Sequence, residues 1–307
     1  KKRIVAQPIG TYMGAWQTTL ENQKMLELIR GINSYKAYRG ASTEPYGVFW
    51  LEINKVFSDG NVLIHNLASR GKKSIKDVIE VLEPDLIYPS VSGAEIERWG
   101  IKATNILLMV QNPKTREPFT ESEMKMNWPR TYNYLTKFKD ILESRGSRPI
   151  LELARRTAFY TMYGISSNTV ATYKVVWKRM AKDIIASVVS TSKTKIGYKT
   201  IIPTDTTSFF AANNESEAHY LCAIINSNPV RDFIKSFSSA GRGFGTPSVM
   251  EHVGIPKFDP QNALHLQLAE ISKQCHQLKL EGKDEEIKKL EKENDALVEE
   301  LFGISHD

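Results

Sequence analysis

Cysteine is scarce in this sequence, and its two copies, Cys222 and Cys275, lie far apart along the chain and have no metal-binding spacing. None of the 6 histidines has a second type of ligand at metal-binding spacing. We therefore expect no metal site and reduced thiols, as in a cytoplasmic protein of a bacterium or archaeon. Long apolar runs are also missing, and the opening KKRIVAQPIG has no apolar stretch behind its basic residues. We expect neither a signal peptide nor a membrane partner.

Motifs of catalysis are missing as well. The sequence contains no Gly-x-x-x-x-Gly-Lys-Ser/Thr phosphate loop, no Gly-x-Ser-x-Gly nucleophile turn and no His-Glu-x-x-His zinc motif. The glycine-rich GRGFG (241–245) follows a predicted helix and precedes a predicted strand, which reverses the order of a dinucleotide-binding turn. No carboxylate pair stands out in a loop. The profile favours a binding module over an enzyme, and we predict no catalytic residue in this chain.

Positive charge is plentiful but unevenly spread over the 307 residues, whose net charge is +6. Residues 258–307 carry 6 Lys/Arg against 12 Asp/Glu, which leaves 35 against 23 for residues 1–257. A body of charge +12 with an acidic tail of charge −6 suggests a polyanionic partner for the body. A solvated basic surface is the alternative.

The periodicity of apolar residues indicates a mixed α/β (α+β) fold in which both element types alternate. The chain has no initiator Met, and we expect a piece of a longer protein. Continuous or aromatic-rich apolar runs predict strands, and spacings of three and four predict helices. The predicted strands are VFWLEI (48–53), LIYPSV (86–91), NILLMVQN (105–112), YKVVW (173–177), IIASVVS with TIIPTDTTSFFAA flanking a basic turn, and VGIPKFDP (253–260). The predicted helices are 16–33, 94–99, 128–148 and 216–237.

The last 49 residues read differently, as a helical hairpin. Apolar residues recur at alternating spacings of four and three through Leu264–Leu278, and the pattern returns through Ile287–Leu301 with Asn294 at a core position. The polar EGKD (281–284) joins the two helices. We place a domain boundary here, between a mixed α/β domain over 1–258 and the hairpin over 259–307. The hairpin either packs on its own domain or mediates self-association.

Several stretches, in this order along the chain, resemble one family. They are YRGASTEPYGVFWLEI, LIYPSVSGAEIERW, WPRTYNYLTKFKDILESR, ATYKVVWKRM, IIPTDTTSFFAANNESEAHYLCAIINSNPV and GRGFGTPSVMEHVGIPKFDP. Together they resemble the C-terminal half of large adenine-specific DNA methyltransferases, such as type IIG restriction–modification enzymes and related phage-defence methylases. The ending LEKENDALVEELFGI is similar to the ends of those chains and of type I specificity subunits.

The resemblance implies a target-recognition domain that grips double-stranded DNA and reads a site for N6-adenine methylation. It places the catalytic domain, with its S-adenosylmethionine, upstream in the same parent chain, because the family's catalytic Asn-Pro-Pro-Tyr motif is absent from this sequence. This chain is then non-catalytic, holds no cofactor and has that upstream domain as a partner. Whether the parent chain also cleaves DNA is open. The alternative is a protein-interaction scaffold that binds DNA only with a partner docked on the hairpin.

Basic and hydroxyl side chains in loops are the candidate DNA contacts, because they can bind phosphates or base edges and glycines allow close approach. The candidates are Arg39, Ser42, Thr43, Arg98, Arg130, Lys193, Lys195, Thr204, Thr206, Thr207, Ser208, Arg242, Phe244, Thr246 and Ser248. For the glycine-rich loop, the alternative is a tight turn with Phe244 in the core. For the threonines it is a turn at a strand end, and for the lysines and Arg130 a solvated face.

Overall fold

The computed structural model of the chain describes residues 7–9, 15–17, 23–71, 73–238 and 243–304. Within these ranges no helix is long and apolar enough to cross a membrane. The same ranges contain no group of three or more His, Cys, Asp or Glu side chains that could hold a metal ion.

The described residues form strands and helices in mixed order, which confirms the predicted α+β class. The strands are β1 (Gln7–Ile9), β2 (Ala15–Gln17), β3 (Tyr38–Arg39), β4 (Trp50–Val56), β5 (Val62–Asn66), β6 (Ile79–Leu82), β7 (Ile87–Val91), β8 (Ile96–Glu97), β9 (Gly100–Ile101), β10 (Asn105–Leu108), β11 (Tyr173–Lys178), β12 (Ala186–Val189), β13 (Thr191–Thr194), β14 (Gly197–Thr200), β15 (Ile202–Pro203) and β16 (Thr207–Ala212). The helices are α1 (Gln23–Ile29), α2 (Tyr46–Phe49), α3 (Glu121–Asn127), α4 (Pro129–Thr136), α5 (Lys139–Glu143), α6 (Arg148–Arg156), α7 (Glu215–Asn226), α8 (Asn228–Phe237), α9 (Pro247–Met250), α10 (Ala263–Leu280) and α11 (Asp284–Phe302).

Two sheets organise the fold. The larger has the order β15-β7-β10-β4-β5-β6 and is antiparallel except where β15 runs parallel to β7. The smaller has the order β12-β11-β16-β3, with β11 paired on both edges. The sequence prediction that IIASVVS and TIIPTDTTSFFAA pair across a basic turn is therefore wrong. Their strands, β12 and β16, lie on opposite sides of β11, and the basic segment forms its own two-stranded ribbon, β13–β14.

Each sheet has its own apolar core. The larger sheet packs against α3, α4 and α5 through buried side chains such as Met124, Leu135 and Leu142. The smaller sheet packs on α7, α8 and the C-terminal helices. On β11 the side chains alternate, so Val175 and Trp177 face this helical core while Val176 faces a third cluster beside β7. The two sheets therefore meet near β11 and β7.

The C-terminal hairpin is confirmed as α10 and α11, and its seam packs on the same chain. Leu268, Ile271 and Cys275 of α10 and Val298 of α11 belong to the helical core with α7. Asn294 is buried, and its Nδ2 donates to the carbonyl of Ala223 at 3.0 Å. The apolar seam therefore serves packing within this chain.

The predicted helix over 94–99 is wrong, because these residues form the hairpin β8–β9. The Glu95 carboxylate accepts from the backbone N–H and hydroxyl of Ser92, which holds a turn there. Ile96 then pairs with Ile101. Trp99 adopts a left-handed φ of 63° and donates its indole N–H to Glu291 of α11 at 2.8 Å. A contact with a distant helix thus overrides the local helical pattern.

Four other predictions need correction. The segment 16–33 is not one helix, because it begins within β2 (Ala15–Gln17) and α1 covers only Gln23–Ile29. The segment 216–237 forms two helices, α7 and α8. Pro229 has no backbone N–H to continue the hydrogen bonds of α7, and the Ser227 side chain caps the start of α8. The segment 128–148 contains α4 and α5 with a break at Phe138. VGIPKFDP is not a strand. Val253 makes a single bridge with Arg30, and the stretch beyond is extended without sheet pairing.

Candidate nucleic-acid interface

Three predicted DNA-contact segments, distant in sequence, meet at one end of the smaller sheet. Arg39 of β3 pairs with Ser208 of β16, and Ala41 bridges Thr204. Gly245 of the glycine-rich loop donates its N–H to the carbonyl of Arg179, just after β11. This end of the sheet forms one wall of a cavity.

The cavity, which we call the basic cleft, has a volume of about 650 Å³ and lies between the smaller sheet and the loops beside α2, β5 and α6. Its charged lining residues are Arg39, Arg70, Lys73, Arg145 and Arg179 with Glu44 and Asp205. Five cations against two carboxylates make a formal charge of +3. A concave site of one charge concentrates the field and attracts anions.

Asp205 is the centre of the polar network in the cleft. The Tyr46 hydroxyl lies 3.2 and 3.3 Å from its two carboxylate oxygens, and Arg39 lies 3.6 Å from one of them. Burial raises the pKa of Asp205, while the Tyr46 hydrogen bond and the charge of Arg39 oppose that rise. Burial, followed by the negative charge of Asp205, raises the pKa of Tyr46. At neutral pH the phenol therefore stays protonated and donates.

The cations of the cleft differ in how many of their hydrogen-bond donors are already bonded within the protein. The buried Arg145 donates to the carbonyls of Leu142, Phe159 and Thr161, and burial lowers its pKa to about 10. Its role is to close the turn between α5 and α6. By contrast, the Arg39 side chain is 47% exposed, so its donors are accessible from the solvent.

Arg179 lies beside Asp205 with an incomplete set of partners. It donates from Nη1 to the Asp205 carbonyl at 2.5 Å, but its buried Nε has no partner in the described part of the chain. Burial and then the nearby charge of Arg39 lower its pKa. An anion in the cleft would relieve this repulsion between arginines.

Arg70 connects the basic cleft to a second cavity. Its guanidinium lies 3.7 Å from the centre of the Trp50 ring, and its Nη1 donates to Asn105 at 3.3 Å. Asn105 lines the second cavity, of about 640 Å³, together with Lys193 and Lys195 of the β13–β14 ribbon and its turn. Basic side chains therefore line both cavities, and the Arg70–Asn105 hydrogen bond joins the two.

In the YRGAST loop, Arg39 lines the basic cleft, whereas Ser42 and Thr43 do not. Ser42 is partly buried, and its backbone N–H donates to Tyr163 at 2.8 Å. Thr43 is fully buried, where its hydroxyl accepts from the Trp50 indole N–H at 2.7 Å. The prediction that Thr43 contacts DNA is corrected, because its side chain is inside the protein.

In the TDTTSF segment, most hydroxyls hold the turn together. Thr204, Thr207 and Ser208 are fully buried and donate to the carbonyls of Val91, Thr204 and Gly245. They are corrected to structural residues. Thr206 lines the basic cleft, and its hydroxyl accepts from the Gly93 N–H at 2.8 Å.

The glycine-rich loop is described from Gly243 onward, so the candidate Arg242 lies outside the described residues. Phe244 is fully buried in the helical core, which corrects its prediction as a DNA contact and agrees with the alternative. Thr246 and Ser248 lie nearer the surface, with their hydroxyls 3.2 Å apart. A Cβ on Gly245 would lie 1.9 Å from the Lys178 carbonyl, so this loop packs tightly on β11 and does not form an open phosphate cradle.

The remaining candidates lie outside the basic cleft. Arg98 pairs with Glu291 at 3.1 Å and donates to the Asn226 carbonyl, which ties the β8–β9 hairpin to the helices. Arg130 is exposed at the start of α4. Lys193 is exposed on β13, whereas Lys195 donates from Nζ to the Ile53 carbonyl at 2.6 Å.

Sequence reasoning missed the cleft residues Tyr46, Arg70, Lys73, Arg179 and Asp205. Arg179 follows a predicted strand and Asp205 stands within the TDTTSF segment, so position at a strand end could have indicated both. Arg70 and Lys73 stand in a loop with no motif.

No family model matches the chain. Over 209 residues it is 24% identical to the Type II methyltransferase M.NspV of Nostoc sp.. The aligned part covers 68% of this chain and 41% of the relative, so the chain corresponds to about two-fifths of that protein's length. This similarity supports a relationship to type II methyltransferases.

Proposed function

We propose that this chain is the target-recognition part of an N6-adenine DNA methyltransferase of a restriction–modification or related defence system. It binds double-stranded DNA and selects the site, while an upstream domain of the parent chain holds S-adenosylmethionine and transfers the methyl group. The observation that carries this proposal is the basic cleft, with its formal charge of +3, in a chain similar to a type II methyltransferase.

The arrangement of the cleft suits the two parts of DNA recognition. Arg39, Arg179 and Lys73 offer positive charge for backbone phosphates, which give affinity and orientation but no sequence information. Asp205 and Tyr46 offer an acceptor and a hydroxyl at fixed positions, as direct readout of base edges requires.

Salt dependence of duplex binding tests the proposal. The whole chain should bind a mixed-sequence duplex at low salt, with log affinity falling linearly against log salt. Arg39→Ala should reduce that slope by about one unit if the side chain neutralises one phosphate. The matched control is Lys292→Ala, which removes the same charge from an exposed position on α11 and should leave the slope unchanged.

Two further results separate the alternatives. Duplex binding that appears only after a partner protein is added would favour the scaffold interpretation. Robust methyl transfer by this chain alone would contradict the placement of catalysis in an upstream domain.

A further inference from the structure

Asp205 is an acidic residue inside a cleft whose other charges are mostly positive. It is only 8% exposed, its carboxylate lies 3.6 Å from the Arg39 guanidinium, and its backbone carbonyl accepts from Arg179. Burial and the charge of Arg39 lower the pKa of Arg179, whereas the charge of Asp205 raises it. The carboxylate therefore offsets the repulsion between the two arginines, which is what a bound anion would do.

The contact between Arg39 and Asp205 is of a kind that exchanges readily. At 3.6 Å it is longer than a hydrogen bond, and the Arg39 side chain is 47% exposed. The backbone of Arg39 is fixed by its pairing with Ser208, and the next N–H, of Gly40, donates to Thr207 at 3.1 Å. Only the side chain has to move, and a guanidinium fits a phosphate as well as a carboxylate.

Asp205 keeps a hydrogen-bond partner when Arg39 leaves. The Tyr46 hydroxyl lies 3.2 and 3.3 Å from the two carboxylate oxygens, and it stays protonated at neutral pH because burial raises its pKa. A buried carboxylate without any donor would make the release of Arg39 costly. The Tyr46 hydrogen bond reduces this cost, so the arginine can be shared between Asp205 and a ligand.

We propose that Asp205 is an internal competitor for phosphate, which holds Arg39 in the free chain and gives it up to a phosphate of the ligand when the cleft is occupied. Asp205 then lowers the affinity of the cleft for any phosphate group, whatever the base sequence. Where the phosphate belongs to DNA, this inference rests on the proposed function. Inorganic pyrophosphate presents the same chemistry without DNA.

The test measures the affinity of the whole chain for a mixed-sequence duplex at low salt. Asp205→Asn removes the charge with little change in shape, and it should bind about fivefold tighter because no ion pair has to be broken. The slope of log affinity against log salt should stay the same, because Arg39 contacts the same phosphate in both proteins. Asp284→Asn, on the hairpin, makes the same charge change and should alter the affinity less than about twofold.

A double-mutant cycle with Arg39 separates this exchange from a general effect of charge. In the Arg39→Ala background, Asp205→Asn should gain less than about twofold, because the competed side chain is gone. Unchanged or weaker binding by Asp205→Asn alone, or the same fivefold gain without Arg39, would overturn the inference while the proposed function stood. A salt slope steeper by about one unit would also overturn it, because Arg39 would then contact phosphate only in the variant.

Titration with inorganic pyrophosphate distinguishes failure of this inference from failure of the proposed function. Asp205→Asn should bind pyrophosphate about fivefold tighter than the wild-type chain does. If the wild-type chain bound no duplex at low salt while this difference held, the proposed function alone would fall. Absence of the difference, together with absence of duplex binding, would overturn both.

If Asp205→Asn does not fold, the pH dependence of the wild-type chain answers the same question. Burial raises the pKa of Asp205, and the titratable or charged groups that act on it are Tyr46, Arg39, Glu44 and Arg179. Arg70, Lys73 and Arg145 complete the charged lining of the cleft. As falling pH neutralises Asp205, duplex binding should tighten in the wild-type chain but not in Arg39→Ala. An equal gain in both proteins would overturn the inference.

Discussion

The basic cleft and the C-terminal hairpin differ in the balance of their charged groups. In the hairpin, His276 is matched to the Val188 N–H and Asn294 Nδ2 donates to the Ala223 carbonyl, while Asn294 Oδ1 has no partner among the described residues. In the cleft, cations outnumber carboxylates and the Arg179 Nε is left without a partner in the described chain. Buried polar groups that are matched stabilise a fold, whereas excess donors of one charge are better explained by a ligand. The contrast supports the proposal that the cleft binds an anion, while the hairpin stabilises the fold.

The largest expected effect comes from breaking the cleft wall. In Gly245→Ala the added Cβ would lie 1.9 Å from the Lys178 carbonyl, and backbone must move. We expect a loss of about 3 kcal/mol or more in the free energy of unfolding, together with loss of DNA binding. Gly243→Ala is the control in the same loop, because its Cβ would meet nothing within 4 Å. Equal Tm values for the two variants would contradict the packing described for this loop.

The hairpin should respond to pH through His276. Its Nε2 accepts from the Val188 N–H at 3.0 Å, its Nδ1 lies 2.7 Å from the Ser272 carbonyl, and burial lowers its pKa to about 4. The folded state thus favours the neutral ring. Its contribution is complete above the unfolded pKa of about 6.5 and is lost as pH falls toward 4.

Between pH 7 and pH 5 the loss from His276 should be about 2 kcal/mol in the free energy of unfolding. His276→Gln keeps an acceptor and does not titrate, so urea denaturation should show a smaller loss over the same range. Some loss will remain, because burial also lowers the pKa of the adjacent His219 to about 3. If His276→Gln and the wild-type chain lost the same unfolding free energy between pH 7 and pH 5, the stability of the fold would not depend on a neutral His276 ring.

Lys193 and Lys195, on the β13–β14 ribbon and its turn, give a matched pair of substitutions that separates an effect on stability from an effect on binding. Lys195 donates to the Ile53 carbonyl at 2.6 Å, so Lys195→Ala should cost roughly 1 kcal/mol of unfolding free energy. Lys193 is exposed, so Lys193→Ala should preserve stability and weaken duplex binding at low salt only. The opposite assignment, with Lys193 needed for stability, would show that the ribbon is held differently.

The smallest effect is expected at an exposed ion pair between the hairpin and α7. Lys273 lies 3.5 Å from Glu215, with both side chains at least a third exposed. Because solvent and salt screen such pairs, Lys273→Ala should change the unfolding free energy by less than about 0.5 kcal/mol. A larger loss by urea denaturation would mean that charge, and not the apolar seam, attaches the hairpin.

The hairpin was predictable from sequence and the cleft largely was not, for a physical reason. The seam repeats along the chain, so the spacing from Leu264 to Leu301 predicts both helices and the buried Asn294. The cleft is assembled from segments far apart in sequence, and no local pattern indicates that Arg70 and Asp205 face one cavity.

The hydroxyl-rich and aromatic candidates illustrate the same limit. Thr204, Thr207 and Phe244 are residue types that suit DNA contacts, yet each is fully buried. Their types are equally suited to closing a turn or filling a core. Only the three-dimensional structure separates these roles. Of the predicted DNA contacts, Arg39 and Thr206 line the basic cleft.

The most direct test of the central claim is selection of this chain on a pool of randomised duplex DNA, at low and at near-physiological salt, followed by sequencing of the bound fraction. We predict enrichment of one short motif that contains an adenine, and loss of that enrichment in Arg39→Ala but not in Lys292→Ala. If the chain bound no DNA even at low salt, this result would contradict the assignment of the basic cleft to DNA.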